Sequence, residues 1–186
     1  MKTVCMVDNS VRPHSPFWAE HGLSFWIESG GEAILFDTGA SGSVLIHNLG
    51  LAGLSLRNLQ GLALSHSHPD HTGGLPAVLE PWEAMPTYAH PDLFRPRYSR
   101  ANGEMQSKWL PMSTEGLKHK AELHLSEAPQ AIIEGVWTTG EITDRPGPEG
   151  RSAQHFVRTG EDWVPDPYRF GDRVAHCPAG TTLELQ

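Results

Sequence analysis

A mixed α/β fold with more strand than helix is the class this chain predicts, on three observations. Its apolar residues gather in runs of strand length, and the hydrophobic period switches from two to helical spacing after Phe36. Glycine and proline are abundant, at 19 and 15 of 186 residues, which suits a loop-rich fold better than a helical bundle. The length suits one domain spanning residues 1–186, with a core of its own, and is short for two.

Three apolar runs open the chain, Thr3 to Val7, Leu23 to Ile27 and Ala33 to Phe36. The last two flank Glu28-Ser29-Gly30-Gly31-Glu32 and read as a hairpin on a Gly-Gly turn. Beyond Asp37-Thr38-Gly39, the residues Val44, Leu45, Asn48 and Leu49 recur at helical spacing, with Gly50 as the expected stop. Leu54 to Leu59 reads as a short helical turn, and Gly61 to Ser65 as a compact buried strand. A second helix is expected from Leu75 to Glu80, and Thr87-Tyr88-Ala89 reads as another strand. Phe94 to Met112 gives a turn-rich, mixed pattern, with Arg95, Arg97 and Arg100 set around Tyr98. Glu122 to Leu125 and Ala131 to Thr138 alternate as strands do, Pro146-Gly147-Pro148-Glu149-Gly150 reads as an exposed loop, and Arg173 to Leu185 as a last hairpin.

Charge and cysteine usage narrow the function classes. A net charge of −8 offers no basic field to a phosphate backbone, so a small molecule rather than a nucleic acid is the expected partner. Cys5 and Cys177, at opposite ends of the chain, are not the framework of a disulfide-rich secreted domain. Asp8 and Asn9 interrupt the N-terminal apolar run, and no later run approaches membrane-spanning length. A soluble, unexported protein of the reducing cytoplasm is expected.

The segment His66-Ser67-His68-Pro69-Asp70-His71 carries the chemistry. Two histidines one residue apart on extended backbone point to the same side, so His66 and His68 can grip one ion together. Asp70 and His71 follow where the chain turns into a helix, diverge from the first pair and can reach a second ion. Imidazole and carboxylate suit zinc, with iron or manganese acceptable, and no cysteine lies nearby in sequence to select a soft metal. Gly73 and Gly74 would let the following helix pack close to this loop.

The segment after the Gly61–Ser65 run resembles the metal motif His-x-His-x-Asp-His of the metallo-β-lactamase superfamily. Its surroundings, Ile34-Leu35-Phe36-Asp37-Thr38-Gly39, Leu64-Ser65-His66, His71-Thr72-Gly73-Gly74-Leu75, Tyr88-Ala89-His90-Pro91 and Thr139-Gly140-Glu141-Ile142, are similar to the branch that includes the dihydropterin/ribofuranosylaminobenzene phosphate synthase. The likeness covers most of residues 20 to 145. It implies an αββα sandwich with two metal ions, zinc first among them, at the sheet edge, and a hydrolase or transferase acting on a small substrate, phosphorylated ones included. It places Asp37 behind the loop, as the acceptor that orients a ligand imidazole. Asp70 would hold the second ion and accept a hydrogen bond from the attacking water, which makes it the catalytic candidate.

In the same branch a third histidine lies in a Gly-Cys-x-His segment, and the chain reaches Gln186 without one. Only the N-terminal portion of the sandwich is therefore expected here, with an open sheet face that would favour self-association into homo-oligomers. His155, in a polar loop, and His176, in a strand-like segment, are the later histidines that could replace missing ligands. His90 either faces the substrate side or is a surface turn residue before Pro91, and Arg95, Arg97 and Arg100 either meet a substrate phosphate or form a solvated face. Two functional readings stand: a zinc-dependent hydrolase working through metal-activated water, or a catalytically silent metal-binding fragment or remnant. Metal stoichiometry separates them.

Overall fold

The structure, a computed structural model, describes residues 1–108, 110–142, 153–166, 175–176 and 182–184. In chain order it runs β1 (Lys2–Val7), β2 (Ser24–Ser29), β3 (Glu32–Phe36), α1 (Gly42–Leu51), β4 (Leu59–Ala63), α2 (Pro69–Thr72), α3 (Leu75–Leu79) and β5 (Met85–Ala89). There follow β6 (Arg97–Ala101), β7 (Glu104–Ser107), α4 (Thr114–Lys120), β8 (Ala121–Leu125), β9 (Ala131–Ile133) and β10 (Val136–Thr138). The described chain closes with β11 (His155–Thr159), β12 (Asp162–Pro165), β13 (Ala175–His176) and β14 (Thr182–Glu184).

A seven-stranded sheet, β14-β1-β2-β3-β4-β5-β8, organises the molecule. The β1–β2–β3 meander is antiparallel, while β3, β4, β5 and β8 run parallel through helical or looped crossovers. Gly30 and Gly31, at φ of 61° and 87°, close the β2–β3 hairpin, because a turn matching the strand twist needs positive φ at both central residues.

Both faces of this sheet are buried, and the period of two sorts neighbouring residues between them. On β3, Leu35 joins the core shared with Leu45 and Leu49 of α1 and Leu75 and Leu79 of α3. Ile34 and Phe36 join Ile133 of β9 and Val136 of β10 on the opposite face. Helices thus cover one side and a smaller sheet, β13-β10-β9, covers the other. The face expected to lie open is occupied over β2 to β4, where Ile27, Ile34 and Phe36 are all buried beneath β9 and β10. A third sheet, β12-β11-β6-β7, stands apart.

Several sequence-based expectations need correction. Helix α1 runs through Gly50, and the chain turns out of it at Gly53, whose φ of 69° suits the left-handed residue that ends a helix. Phe94 to Met112 holds the β6–β7 hairpin, turning on Asn102-Gly103 at φ of 52° and 82°. Ala131 to Thr138 is two antiparallel strands, β9 and β10, and helix α4, capped by Ser113 with Glu115 in its first turn and Lys118, His119 and Lys120 in its last, is an element the sequence reading did not name. His155 opens β11 rather than lying in a polar loop. Arg173 to Leu185 is not one hairpin, since β13 pairs with β10 while β14 pairs with β1 in a different sheet. The proline-rich segment 146–150 and Cys177 lie outside the described residues.

Candidate metal centre

The histidine loop leaves the carboxyl end of β4, which is flanked by parallel strands on both sides. Such strand ends are where open α/β sheets gather ligands. Leu64 donates its N–H to the Tyr88 carbonyl at 2.9 Å, so the pairing with β5 continues one residue beyond β4. His68, at φ −65° and ψ 144°, is the last extended residue, and Pro69 at the first helical position starts α2, where its missing N–H costs nothing.

A backbone that bends at Ser65 and Ser67 and then enters a helical turn brings three imidazoles together. The His66 and His68 rings stand edge to face at 4.5 Å between centroids, and the His66 and His71 rings are 4.2 Å apart. Asp70 turns its Oδ2 to within 3.6 Å of His71 Nε2. All four side chains are half-buried at the rim of the sheet. The donors are close without being gathered: among the described residues, no group of three or more His, Cys, Asp or Glu is arranged to hold a metal ion. The donor set itself, three imidazoles and a carboxylate, is that of a zinc, iron or manganese site.

Asp37 lies beneath this cluster, fully buried, with a φ of 56°. Aspartate tolerates the left-handed region better than most residues, yet a buried non-glycine there still costs about 1–3 kcal/mol and persists only where its surroundings demand it. The turn aims the carboxylate at three donors: Ser65 N–H at 2.8 Å, Ser65 Oγ at 2.6 Å and His71 Nδ1 at 2.7 Å. Burial pushes the Asp37 carboxyl above its ordinary range, while the His71 and Ser65 contacts pull it back. An ionised carboxylate only accepts, so in that state Asp37 would take the Nδ1 proton of His71 in its hydrogen bond and leave Nε2 with its lone pair. Ser65 Oγ also stands 2.9 Å from His66 Nδ1, which extends the same control to a second imidazole.

Close packing holds the Asp37 turn against the loop. Thr38 N–H and Oγ1 both bond the His71 carbonyl, at 2.8 and 3.0 Å. A Cβ on Gly73 would come within 2.0 Å of the Ala40 carbonyl oxygen, and one on Gly74 within 2.3 Å of that of Thr38. These glycines let the helical turn seat on the 38–40 segment, and a Cβ on Gly73 would also meet the Pro69 carbonyl oxygen of the metal loop at 2.6 Å, so the close approach to that loop expected from sequence is present.

His90 is buried, not a surface turn residue: its Nδ1 accepts the Asp92 N–H at 3.0 Å and caps the short helical turn that follows. It lines the same narrow internal gap as Ser65, His66 and Ser67. His155 comes to the site from the third sheet, its ring 4.9 Å from that of His68, and burial lowers its pKa, favouring the neutral imidazole. The side chain of His176 lies outside the described residues. Arg97 belongs neither to a solvated face nor to a phosphate site, because it is buried against Asp92, Asp166 and Ser67. Arg95 stands 3.6 Å from Asp92, and exposed Arg100 lies over the Phe156 ring.

Sequence reasoning passed over Ser65, Ser67 and His21. His21 Nε2 stands 3.4 Å from Asp70 Oδ2, although 44 residues of chain lie between His21 and the loop's first histidine, so no spacing rule could have linked them. Gly22 makes that approach feasible: Leu23 N–H bonds the Asp70 carbonyl, and a Cβ on Gly22 would meet that oxygen at 2.4 Å.

Residues 18–185 match the pattern of the Metallo-beta-lactamase superfamily. The chain is 33% identical over 154 residues to the 7,8-dihydropterin-6-methyl-4-(beta-D-ribofuranosyl)-aminobenzene-5'-phosphate synthase of Methanocaldococcus jannaschii, covering 77% of this chain and 51% of that protein. It is 32% identical over 138 residues to the uncharacterized protein MJ0448 of the same organism, covering 74% and 52%. The chain thus spans about half the length of these curated relatives. Among solved structures it is similar to Tm1679, described as a metal-dependent hydrolase of the beta-lactamase superfamily, with a TM-score of 0.67 at 19% identity over 92% of this chain and 59% of that one. Among the described residues, no helix is long and apolar enough to cross a membrane. With its mixed sheet, its histidine loop at the end of β4 and a family match over residues 18–185, the chain belongs to the metallo-β-lactamase superfamily.

Proposed function

We propose that this chain carries the metal-binding portion of a zinc-dependent enzyme that hydrolyses, or transfers a group from, a small and in the first instance phosphorylated molecule. The observation that carries the reading is the buried Asp37 carboxylate, held at a strained φ and bonded to His71 Nδ1 beneath three clustered imidazoles. A turn aspartate with only a structural duty has no reason to fix the tautomer of a rim histidine.

In this reading His66 and His68 hold one ion, and Asp70 and His71 a second. Divalent ions there supply Lewis-acid polarisation of a substrate oxygen and a water nucleophilic at neutral pH. The chain's own residues prepare the place. Asp37 and Ser65 set the proton positions on His71 and His66, and Asp70 presents a carboxylate able to accept a proton or a hydrogen bond from an attacking water. His21, 82% exposed and close to Asp70, is poised to hold that carboxylate's orientation from the solvent side. The relative from M. jannaschii, named a phosphate synthase, is why phosphorylated substrates come first.

A second reading, a metal-binding remnant without turnover, is favoured by the donors not being arranged as a formed cage among the described residues. The test is zinc content per monomer and turnover of phosphodiester, lactone and thioester substrates, for this chain and for a version extended by its downstream reading frame. Two zinc ions and zinc-dependent turnover in either version support the enzyme. One weakly held ion, with no turnover in both, supports the remnant. His66→Ala should remove bound zinc and leave the fold intact, because a rim ligand contributes little to the core. Unfolding of that variant with its metal content unaltered would refute the assignment.

A further inference from the structure

We infer that Arg97 is a positioning residue, which aims the histidine loop by gathering the three chain segments around it onto one guanidinium. The inference rests on the metal reading of that loop given above. Arg97 opens β6 and is only 4% exposed. Its Nη1 donates to Ser67 Oγ at 2.9 Å and to the Asp92 carbonyl at 3.1 Å, its Nη2 donates to Asp92 Oδ2 at 2.6 Å, and its Nε donates to Asp166 Oδ2 at 2.9 Å.

Each partner leads directly to a histidine. Ser67, 2% exposed, sits between His66 and His68, so the bond to its hydroxyl holds the middle of the ligand pair. Asp92 donates its N–H to His90 Nδ1, and Asp166 donates its N–H to the His155 carbonyl at 3.0 Å, just behind the ring that meets His68. The loop after β4, the turn after β5 and the β11–β12 hairpin therefore share one anchor.

Stability alone is a poor explanation for this arrangement. A cation buried between two carboxylates loses in desolvation much of what it gains in attraction, and an apolar residue could fill the space. What a planar fork adds is direction, since its donors leave along fixed lines and meet several acceptors at once. Capture of a substrate anion is equally poorly served, because Nε, Nη1 and Nη2 all donate to groups of the protein.

The test compares wild type with Ser67→Ala, Arg97→Lys and Arg100→Met in the full chain. Three quantities are read: zinc affinity by chelator competition, the visible absorption of the cobalt(II)-loaded protein, and the urea midpoint of the metal-free protein. Ser67→Ala should weaken zinc binding by about 10- to 100-fold and alter the cobalt spectrum, as expected when a ligand loses its support. Arg97→Lys should not rescue it, because a single ammonium cannot span Ser67, Asp92 and Asp166 together. Arg100→Met, on an exposed arginine of the same strand, should match wild type. If Arg97→Lys fails to fold, Ser67→Ala decides alone, since it deletes one hydroxyl. Wild-type zinc affinity and cobalt spectrum in folded Ser67→Ala would overturn the inference, even with a lowered urea midpoint. Wild type that takes up neither zinc nor cobalt would overturn the metal reading as well, which separates the two failures.

Discussion

Replacing Asp37 with asparagine should cost this protein more metal affinity than stability. Asparagine tolerates the φ of 56°, so the turn itself survives. Its carbonyl oxygen can keep the Ser65 N–H bond, but its amide nitrogen then stands where Oδ2 receives Ser65 Oγ at 2.6 Å and His71 Nδ1 at 2.7 Å. Two bonds to a charged acceptor are lost, at about 1.5–3 kcal/mol each. Ser65 Oγ can turn to His66 Nδ1, 2.9 Å away, and removal of a fully buried charge offsets part of the remainder. A net loss of about 2 kcal/mol is expected, well inside the stability of an ordinary domain. The effect on His71 is different in kind. An amide N–H donated to Nδ1 drives the ring proton to Nε2, which removes the lone pair a metal needs. Zinc affinity should fall by roughly 10- to 100-fold. Chelator competition measures the affinity, and urea unfolding of the metal-free protein measures the stability. Asp37→Asn with wild-type zinc affinity would refute the assignment of Asp37 as the group that sets the His71 tautomer.

Three further outcomes follow from the packing and the one described cysteine. Gly73→Ala places a methyl 2.0 Å from the Ala40 carbonyl oxygen, a backbone atom that cannot step aside, and should destabilise by about 3 kcal/mol in urea unfolding. Gly50→Ala, on the exposed face of α1 with nothing within 4 Å of the new methyl, should instead stabilise by about 0.5–1 kcal/mol, and a loss there would contradict the helix described. Burial, followed by the charge of Asp8, pushes the Cys5 thiol up from 9.0 to about 11. In a Cys177→Ser background, alkylation by iodoacetamide near pH 8 should therefore run roughly a hundredfold slower than for an unperturbed thiol. The rate should keep climbing with pH toward about 11, and a plateau near 9 would show that Cys5 is not held as described. A thiol whose folded pKa exceeds its unfolded value keeps its proton better when folded, so its contribution to stability fades as pH rises from 9.0 toward about 11.

Local signals accounted for much of the framework. The Gly30-Gly31 hairpin, the buried run at β4 and the alternation of β8 each rest on a short stretch whose conformation is dictated nearby, and the structure has all three. Other local signals were present and went unread. Asn102-Gly103 is a strong hairpin signal, yet the strands it joins carry Arg97, Ser99, Arg100, Glu104 and Gln106, too polar for the apolar run that marks a strand. The β6–β7 hairpin is held by its pairing with β11 rather than by its own apolar face, and that pairing joins residues some sixty positions apart.

The histidine loop was legible because its geometry is local. The His66 and His68 rings lie 4.5 Å apart although the backbone bends at Ser65 and Ser67 rather than running straight, and Pro69 starts the turn that carries Asp70 and His71. That one sequence segment, with the apolar strand before it, was enough to place three imidazoles and a carboxylate together at one strand end. What supports those side chains is not local. Asp37 reaches His71 across 34 positions, Arg97 reaches Ser67 across 30 and Asp166 across 69, and His155 meets His68 only because β11 pairs with β6. Spacing rules act over one turn of helix or a few residues of strand, whereas a buried polar group takes whatever partner the packed chain brings within 3 Å. The tertiary structure alone could therefore decide that one arginine of the 95–100 cluster is buried among acceptors, and that a histidine read as a loop residue stands beside His68.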